Sequence, residues 1–579
     1  MTISESSQSI VLSQTGLSFR AHAHGGAAPT QAVSILHGGS DPLRWSLTPT
    51  TLSGGDWLSV SSTSGVAGDS PSLVNVHVAS AGLPPGDYFG DLRIDAPDAA
   101  NSPEVVGVVL TVSSGVGIPP IVDPIGLLFT GAPGVVSPSA QTVTITNRTT
   151  SALSFESGAY FAGGAAWFTA QPSSGTLNAG ETQQITIQAN TSGPLQGAVY
   201  QGELNLGFSD HSAQKINVLL VAASGALAAT QQHAMGVCSP TGLVPLVTSV
   251  GGPAEFAVGR PAAVQVQVVD SCGSAPQGGG SMQLNLSNGD PAVELTPLPG
   301  SVWAGTVTLK NSAAGPVELS VEGEVGSQKT LPNTLLVNVG PDSMQPVLSP
   351  DGVSSVASYA PQAVMAPGSL INIYGHRLTG SSAQFSGFPL PMELAGTQVV
   401  IQGKALPLIS VSDSRIIAQV PYDVTVNAAT QLIVQRGWAQ SAPEALAVAA
   451  AQPAVFTVNE QGSGQAVAMV GNSANLADAT HPVKAGDALV IYCAGLGTVT
   501  PPVGNGSAAP AAPLSQTATP VVTIGHKRAP VLFSGLTPGF SGLYQLNVIV
   551  PADVTPGDEV PVVIGVAGQT SPVVTISVR

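Results

Sequence analysis

Charge is scarce in this sequence. Only 8% of its 579 residues are charged, and 16 basic side chains face 33 acidic ones, for a formal net charge of −17. Nucleic-acid affinity comes chiefly from Lys and Arg neutralising phosphates, so no nucleic acid is expected as a partner. Anionic membrane surfaces are disfavoured for the same reason. Long apolar runs are missing too. The stretch from Val218 to Ala229 is broken by Ser224 and Gly225, whereas a membrane-spanning helix needs about 20 apolar residues, so no membrane insertion is expected. The start, Met1 to Leu12, has neither a basic nor an apolar region. No secretory signal is read there: either one has been removed, or the chain is a segment of a longer protein.

Cysteine is equally sparse. Three residues, Cys238, Cys272 and Cys493, exclude a disulfide-built scaffold and any C-x-x-C metal pattern. Cys238 and Cys272 bracket the first strands of one expected domain. They are candidates for a disulfide that closes the loop between them, or else two free thiols near turns. Cys493 lies in the apolar run Ala488 to Ala494 and reads as a small buried hydrophobe.

Aromatic residues make up 4%, with five Trp. Sugar platforms use exposed Trp and Tyr faces, so each Trp is a candidate to be weighed. Trp57 and Trp167 recur at a fixed spacing and read as core, as does Trp303. Trp45 and Trp438 stand beside Arg44 and Arg436 without a repeat partner, which makes them the candidates for an exposed aromatic platform.

Catalytic motifs are absent: there is no G-x-S-x-G elbow, Walker loop, H-E-x-x-H or EF-hand loop. No pair of acids is singled out by spacing for glycoside hydrolysis. His22 and His24 would share a strand face but lack a third ligand. Asp270, Asn288 and Asp290 offer oxygens for Ca²⁺, although Asn288-Gly289 reads first as a tight turn. The N-x-S/T matches at Asn147, Asn190, Asn285 and Asn505 are at chance level. The expectation is a non-enzyme with no cofactor and no metal.

What the sequence does have is alternation. Val143 and Ile145 alternate with Thr142, Thr144 and Thr146; Val264, Val266 and Val268 alternate with Gln265 and Gln267. Val317, Leu319 and Val321 alternate with Glu318, Ser320 and Glu322, and Val574, Ile576 and Val578 repeat the pattern at the end. Period two puts one set of side chains in a core and the other in solvent. Turn clusters such as Ser53-Gly-Gly-Asp56 and Pro84-Pro-Gly-Asp87 lie between these runs, with the spacing of all-β sandwiches. The length exceeds what one core can serve.

There is also an internal repeat. Gly16-Leu-Ser-Phe19 returns as Gly126-Leu-Leu-Phe129, Gln31 to Ile35 as Gln141 to Ile145, and Trp57 to Val60 as Trp167 to Ala170, all at an offset of 110. Tyr88 to Ile94 returns as Tyr200 to Leu206, two residues further on. The reading is all-β, about five tandem immunoglobulin-like β-sandwich domains: 1–115, 116–225, 226–342, 343–452 and 453–579.

With its Trp step, Ser-Gly turn and G-x-Y-x-G-x-L strand, the repeated module resembles BACON-like bacterial immunoglobulin-like domains. Residues 226–342 resemble bacterial immunoglobulin-like repeats through Val268 to Gly273, Leu286 to Pro291 and Trp303 to Thr306. Residues 343–579 resemble the C-terminal region of Solibacter-type acidobacterial secreted proteins. The matching stretches are Ala366 to Gly375, Gln452 to Phe456, Ala494 to Pro502 and Gly542 to Val548, and the first half is similar to an IPT/TIG domain. These resemblances imply a location outside the cytoplasm of a bacterium, extracellular or at the cell surface. The leading expectation is a structural spacer, adhesin or self-assembling surface component. The alternative is a carbohydrate-binding array accompanying polysaccharide degradation. The expected partners are polysaccharide or other surface proteins, with self-association through edge strands.

Overall fold

The computed structural model describes residues 8–23, 28–114, 119–131, 137–162, 165–191, 198–222, 238–251, 255–312, 315–340, 343–358 and 364–579. Among them every regular element is a β-strand, and the sheets pack face to face as sandwiches. No helix among the described residues is long and apolar enough to cross a membrane. The alternating runs supply the cores: Val143, Ile145, Val264, Val266, Val268, Val317, Leu319, Val321, Val574, Ile576 and Val578 are all buried. The chain divides into two compact units, Met1–Ala99 with Val105–Ser343, and Ala100–Glu104 with Met344–Arg579.

In the first unit the repeat is a repeat of topology. One copy has a four-stranded sheet in the order Ile10–Leu12, Gln31–His37, Ser72–Val78, Leu58–Val60. The other has Ile121–Asp123, Gln141–Thr146, Thr182–Ala189, Phe168–Gln171 in the same order. Each is backed by a five-stranded sheet whose edge is the repeated glycine strand. Gly16–His22 runs parallel to Glu104–Ser113, and Gly126–Gly131 runs parallel to Ala213–Ala222.

These two edge strands are buried on both faces. Leu17 and Phe19, like Leu127 and Phe129, fill their own cores, while Ser18 and Leu128 turn outward and are covered as well. The covering element is the next sheet, residues 243–339. The Oγ1 of Thr306 accepts from the N–H of Thr15 at 2.9 Å and of Gly16 at 3.2 Å, and Ser18 Oγ donates to the Pro261 carbonyl. At the matching place in the other copy, Ile125 N–H donates to Thr248 O at 2.8 Å. Leu128, Leu219 and Val221 there form one apolar cluster with Val244, Leu246 and Val269. Arg260 also pairs with Asp87 at 3.1 Å. A lone sandwich would leave these edges open to pairing; here the start of each strand is hydrogen-bonded to the covering sheet and its outward face is covered.

The covering sheet is continuous because one strand serves two faces. Val293–Leu298 pairs through Val293 to Leu295 with Gly280–Leu286, and through Thr296 to Leu298 with Val302–Thr308. A strand that switches sheets makes a corner and closes the sandwich.

The second unit holds two sheet pairs, over 347–448 and 454–578, each with its own apolar cluster. The residues of the C-terminal resemblance meet where the two pairs join. Tyr544 is fully buried, and its hydroxyl donates to Gly497 O at 2.6 Å. Gly368, at φ +74°, leaves no room for a Cβ against the Tyr422 ring and the Tyr544 hydroxyl, a position only glycine fills without strain. Asn505 accepts from Tyr422 N–H at 2.8 Å and donates to Asp423 at 3.0 Å, while Gly506 N–H donates to Gln419 at 2.7 Å. Burial pushes the Tyr422 phenol up to about 12 and the Tyr544 phenol well above its ordinary value. Both phenols therefore stay protonated, with Tyr544 donating to Gly497 O and Tyr422 accepting from Gln419 Nε2 at 3.4 Å.

Candidate functional site

Trp45 is not a platform. Its strand Leu43–Thr51 alternates strictly, so Leu43, Trp45 and Leu47 face the core while Arg44, Ser46 and Thr48 face water. Trp45 is 5% exposed. The neighbouring arginine reports the opposite face of the strand, not the environment of the indole. Trp45 also has a repeat counterpart that identity matching overlooks. Phe155 stands 110 residues on, and both rings lie across from the glycine of the Ser-Gly turn, Gly65 and Gly175. Trp57, Trp167 and Trp303 are buried.

Trp438 is 71% exposed at the tip of the hairpin joining Ala428–Arg436 to Ala439–Gln440. Arg436 turns away from it and donates to the carbonyls of Arg377 and Met344.

Cys238 and Cys272 are joined in a disulfide, with Cα atoms 5.9 Å apart. Cys493 is buried, and burial pushes its thiol far up, so it stays protonated and unreactive. Asp270 accepts from the N–H groups of Cys272 and Ser274, and Asp290 from those of Lys310 and Asn311, so each carboxylate ties down a separate turn. Among the described residues no group of three acidic, His or Cys side chains is placed to hold a metal. His22 lies against the carbonyl of Ala23; His24 lies outside the described residues. Asn147 is fully buried, and its amide donates to the carbonyls of Ser151, Leu177 and Asn178. Folding thus consumes that sequon, while Asn505 is half-buried and bonded to Tyr422 N–H and the Asp423 carboxylate.

An open cleft lies on the last sheet pair, in the second unit. It has a volume of about 450 Å³ and is walled by Phe456, Tyr492 and Phe540, with Val467 and Leu543 between the rings. That is within the roughly 300–1,000 Å³ of small-molecule sites, which favour domain junctions. Local sequence places each ring. In Ala488–Ala494 the residues Leu489, Ile491 and Cys493 face the core, so Tyr492 faces outward. Phe456 follows the short strand Ala454–Val455, donates its N–H to Tyr492 O, and packs on Ala357, Ala454 and Ala494.

Phe540 rides a loop locked by main-chain bonds: Thr537 N–H to Leu543 O, Phe540 N–H to Thr537 O, and Ala509 N–H to Phe540 O. Phe540 is nevertheless 53% exposed. Polar groups sit among the rings. The hydroxyl of Thr537 is buried and has no protein partner. Thr457 Oγ1 accepts from Gly462 N–H, leaving its own proton to give. Glu460 stands at the exposed rim. Sequence reading missed this site because it weighed only Trp; the outward register of Tyr492 was the available signal.

A family profile described as "Viral BACON domain" matches residues 134–205, which fall in the second copy of the repeat. No curated protein matches the chain. Solved structures similar to it include the Bacteroides ovatus mixed-linkage glucan utilization locus protein SGBP-B, in complex with a mixed-linkage heptasaccharide. That likeness has 15% identity, covers 58% of this chain and 70% of that one, and has a TM-score of 0.26. The CsuC-CsuE chaperone–tip adhesion subunit complex of Acinetobacter baumannii matches at 10% identity over 39% and 99%, with a TM-score of 0.18. A PapD-like domain of human CEP192 matches at 14% over 20% and 92%, also with a TM-score of 0.18. Likenesses this distant carry no argument about function.

Proposed function

We propose that this chain is a non-catalytic, adhesive scaffold that works outside the cytoplasm and holds binding surfaces on interlocked sandwiches. The observation that carries this reading is the clamp of the first unit, in which both copies of the repeat bury an edge strand against the same sheet. Such a body resists bending and opening, which suits a load-bearing or spacing role. The disulfide between Cys238 and Cys272 supports an oxidising compartment. The resemblance of residues 343–579 to acidobacterial secreted proteins points the same way. Three groups of the second unit whose titration is shifted have structural duties: Tyr544 and Tyr422 seal a joint, and Cys493 fills a core.

Fractionation of the producing bacterium, with surface protease treatment of intact cells, tests the location; a cytoplasmic pool resistant to protease contradicts it. Sustained turnover of polysaccharide, ester or peptide substrates by the purified chain contradicts the non-catalytic part. A second reading, carbohydrate binding, is favoured by the aromatic cleft of the second unit.

A further inference from the structure

We propose that Asn288 is a site of spontaneous deamidation, and that its conversion to a carboxylate opens a turn contact it now holds closed. The sequence contains two Asn-Gly steps, Asn288-Gly289 and Asn505-Gly506. In such a step the Gly nitrogen gives up its proton to solvent and bonds to the Asn Cγ. The bond from Cγ to Nδ2 breaks, and that nitrogen takes a proton from solvent and leaves as ammonia. Water then opens the cyclic imide at either carbonyl, giving aspartate or isoaspartate. The ring closes only where the Gly nitrogen is free to move and the glycine has room to turn.

The two steps differ in both respects. Gly506 is buried and its N–H donates to Gln419 Oε1 at 2.7 Å. A Cβ there would lie 3.0 Å from the Pro407 Cβ and 3.1 Å from the Leu390 carbonyl oxygen. Gly289 is exposed at φ +82°, and beyond its chain neighbours no heavy atom lies within 4 Å of where its Cβ would be. Its N–H has no hydrogen-bond partner among the described residues. Asn288 Oδ1 accepts from Asp290 N–H at 3.3 Å, so a donor already faces the oxygen on which charge grows during the attack. The consequence follows from what Asn288 holds. Its Nδ2 donates to Asp290 Oδ2 at 2.8 Å and to Asn311 O at 3.1 Å. The same Asp290 carboxylate accepts from the N–H groups of Lys310 at 2.8 Å and Asn311 at 3.0 Å. Deamidation removes the donor and sets a second carboxylate against the first, and like charges sharing a site repel.

The test is incubation of the full chain at mildly alkaline pH, with peptide mapping by mass spectrometry to follow aspartate and isoaspartate at both positions, beside the same chain in concentrated urea. The folded chain should convert Asn288 roughly tenfold or more faster than Asn505, whereas in urea the two rates should be alike. Asn288→Asp stands in for the product, and the amide hydrogens of Lys310 and Asn311 should exchange faster in it than in the parent. The first arm uses the unaltered chain, so it stands whatever becomes of the variant's fold. The site is overturned if Asn288 persists in the folded chain as long as Asn505 does. Exchange at Lys310 and Asn311 that is unaltered by Asn288→Asp overturns the opening.

Discussion

Gly16 lies so close to Pro261 that a Cβ added to it would sit 2.5 Å from the proline Cβ. At the repeat-equivalent Gly126 the same atom would run into the carbonyl oxygen of Val247. One glycine position, used twice, thus lets two sandwiches close on the same sheet. Overpacking of a tight contact typically costs about 1–3 kcal/mol. Gly126→Ala should fall at the upper end and Gly16→Ala below it, because a proline ring yields more readily than a backbone carbonyl. Chemical denaturation of the two variants checks both size and order; equal stability to the parent would mean that the contact is loose.

Thiol counting tests the cysteine assignments. The native chain should react with no equivalents of a thiol reagent, the unfolded chain with one, and the unfolded and reduced chain with three, since Cys493 is buried and the other two are bonded. Replacing Cys238 and Cys272 by Ser should destabilise the first unit by up to about 4 kcal/mol, the chain-entropy value for a loop of this size.

Two tryptophans should separate cleanly. Trp45→Ala removes a core side chain and should cost about 3–5 kcal/mol, whereas Trp438→Ala should change stability by less than about 0.5 kcal/mol. Acrylamide quenching should be dominated by Trp438.

Acid should loosen the joint of the second unit. Hydrogen bonds from Lys404, then from Asn505, hold the Asp423 carboxyl below its ordinary range. Because its folded value is depressed, its contribution is present above the ordinary Asp value of about 3.9 and is lost as pH falls through the folded value. The melting midpoint of the second unit should therefore drop in that window, and Asp423→Asn should flatten part of the slope. An unchanged pH profile in that variant would show that the contact carries no weight.

The sequence made the all-β class legible because strand burial has a period of two, and runs such as Val264 to Val268 display it without ambiguity. Trp45 departs from the sequence expectation because Arg44 and Trp45, as adjacent residues of a strand, face opposite ways. The aromatic cleft was invisible because Phe456, Tyr492 and Phe540 are separated by up to 84 residues of sequence and converge only at a joint between sandwiches. The clamp was hidden for a related reason. Gly16 and Gly126 were readable as a repeat, but what each approaches lies in a later part of the chain.

Hydrogen exchange of the full chain, followed by mass spectrometry, tests the interlocked scaffold most directly. If the first unit moves as one body, amides in Gly16–His22, Gly126–Gly131, Leu243–Val250 and Pro261–Asp270 will exchange through a common opening event with one free energy. Separate openings, with the two repeat strands exchanging freely while the covering sheet stays protected, would contradict the account.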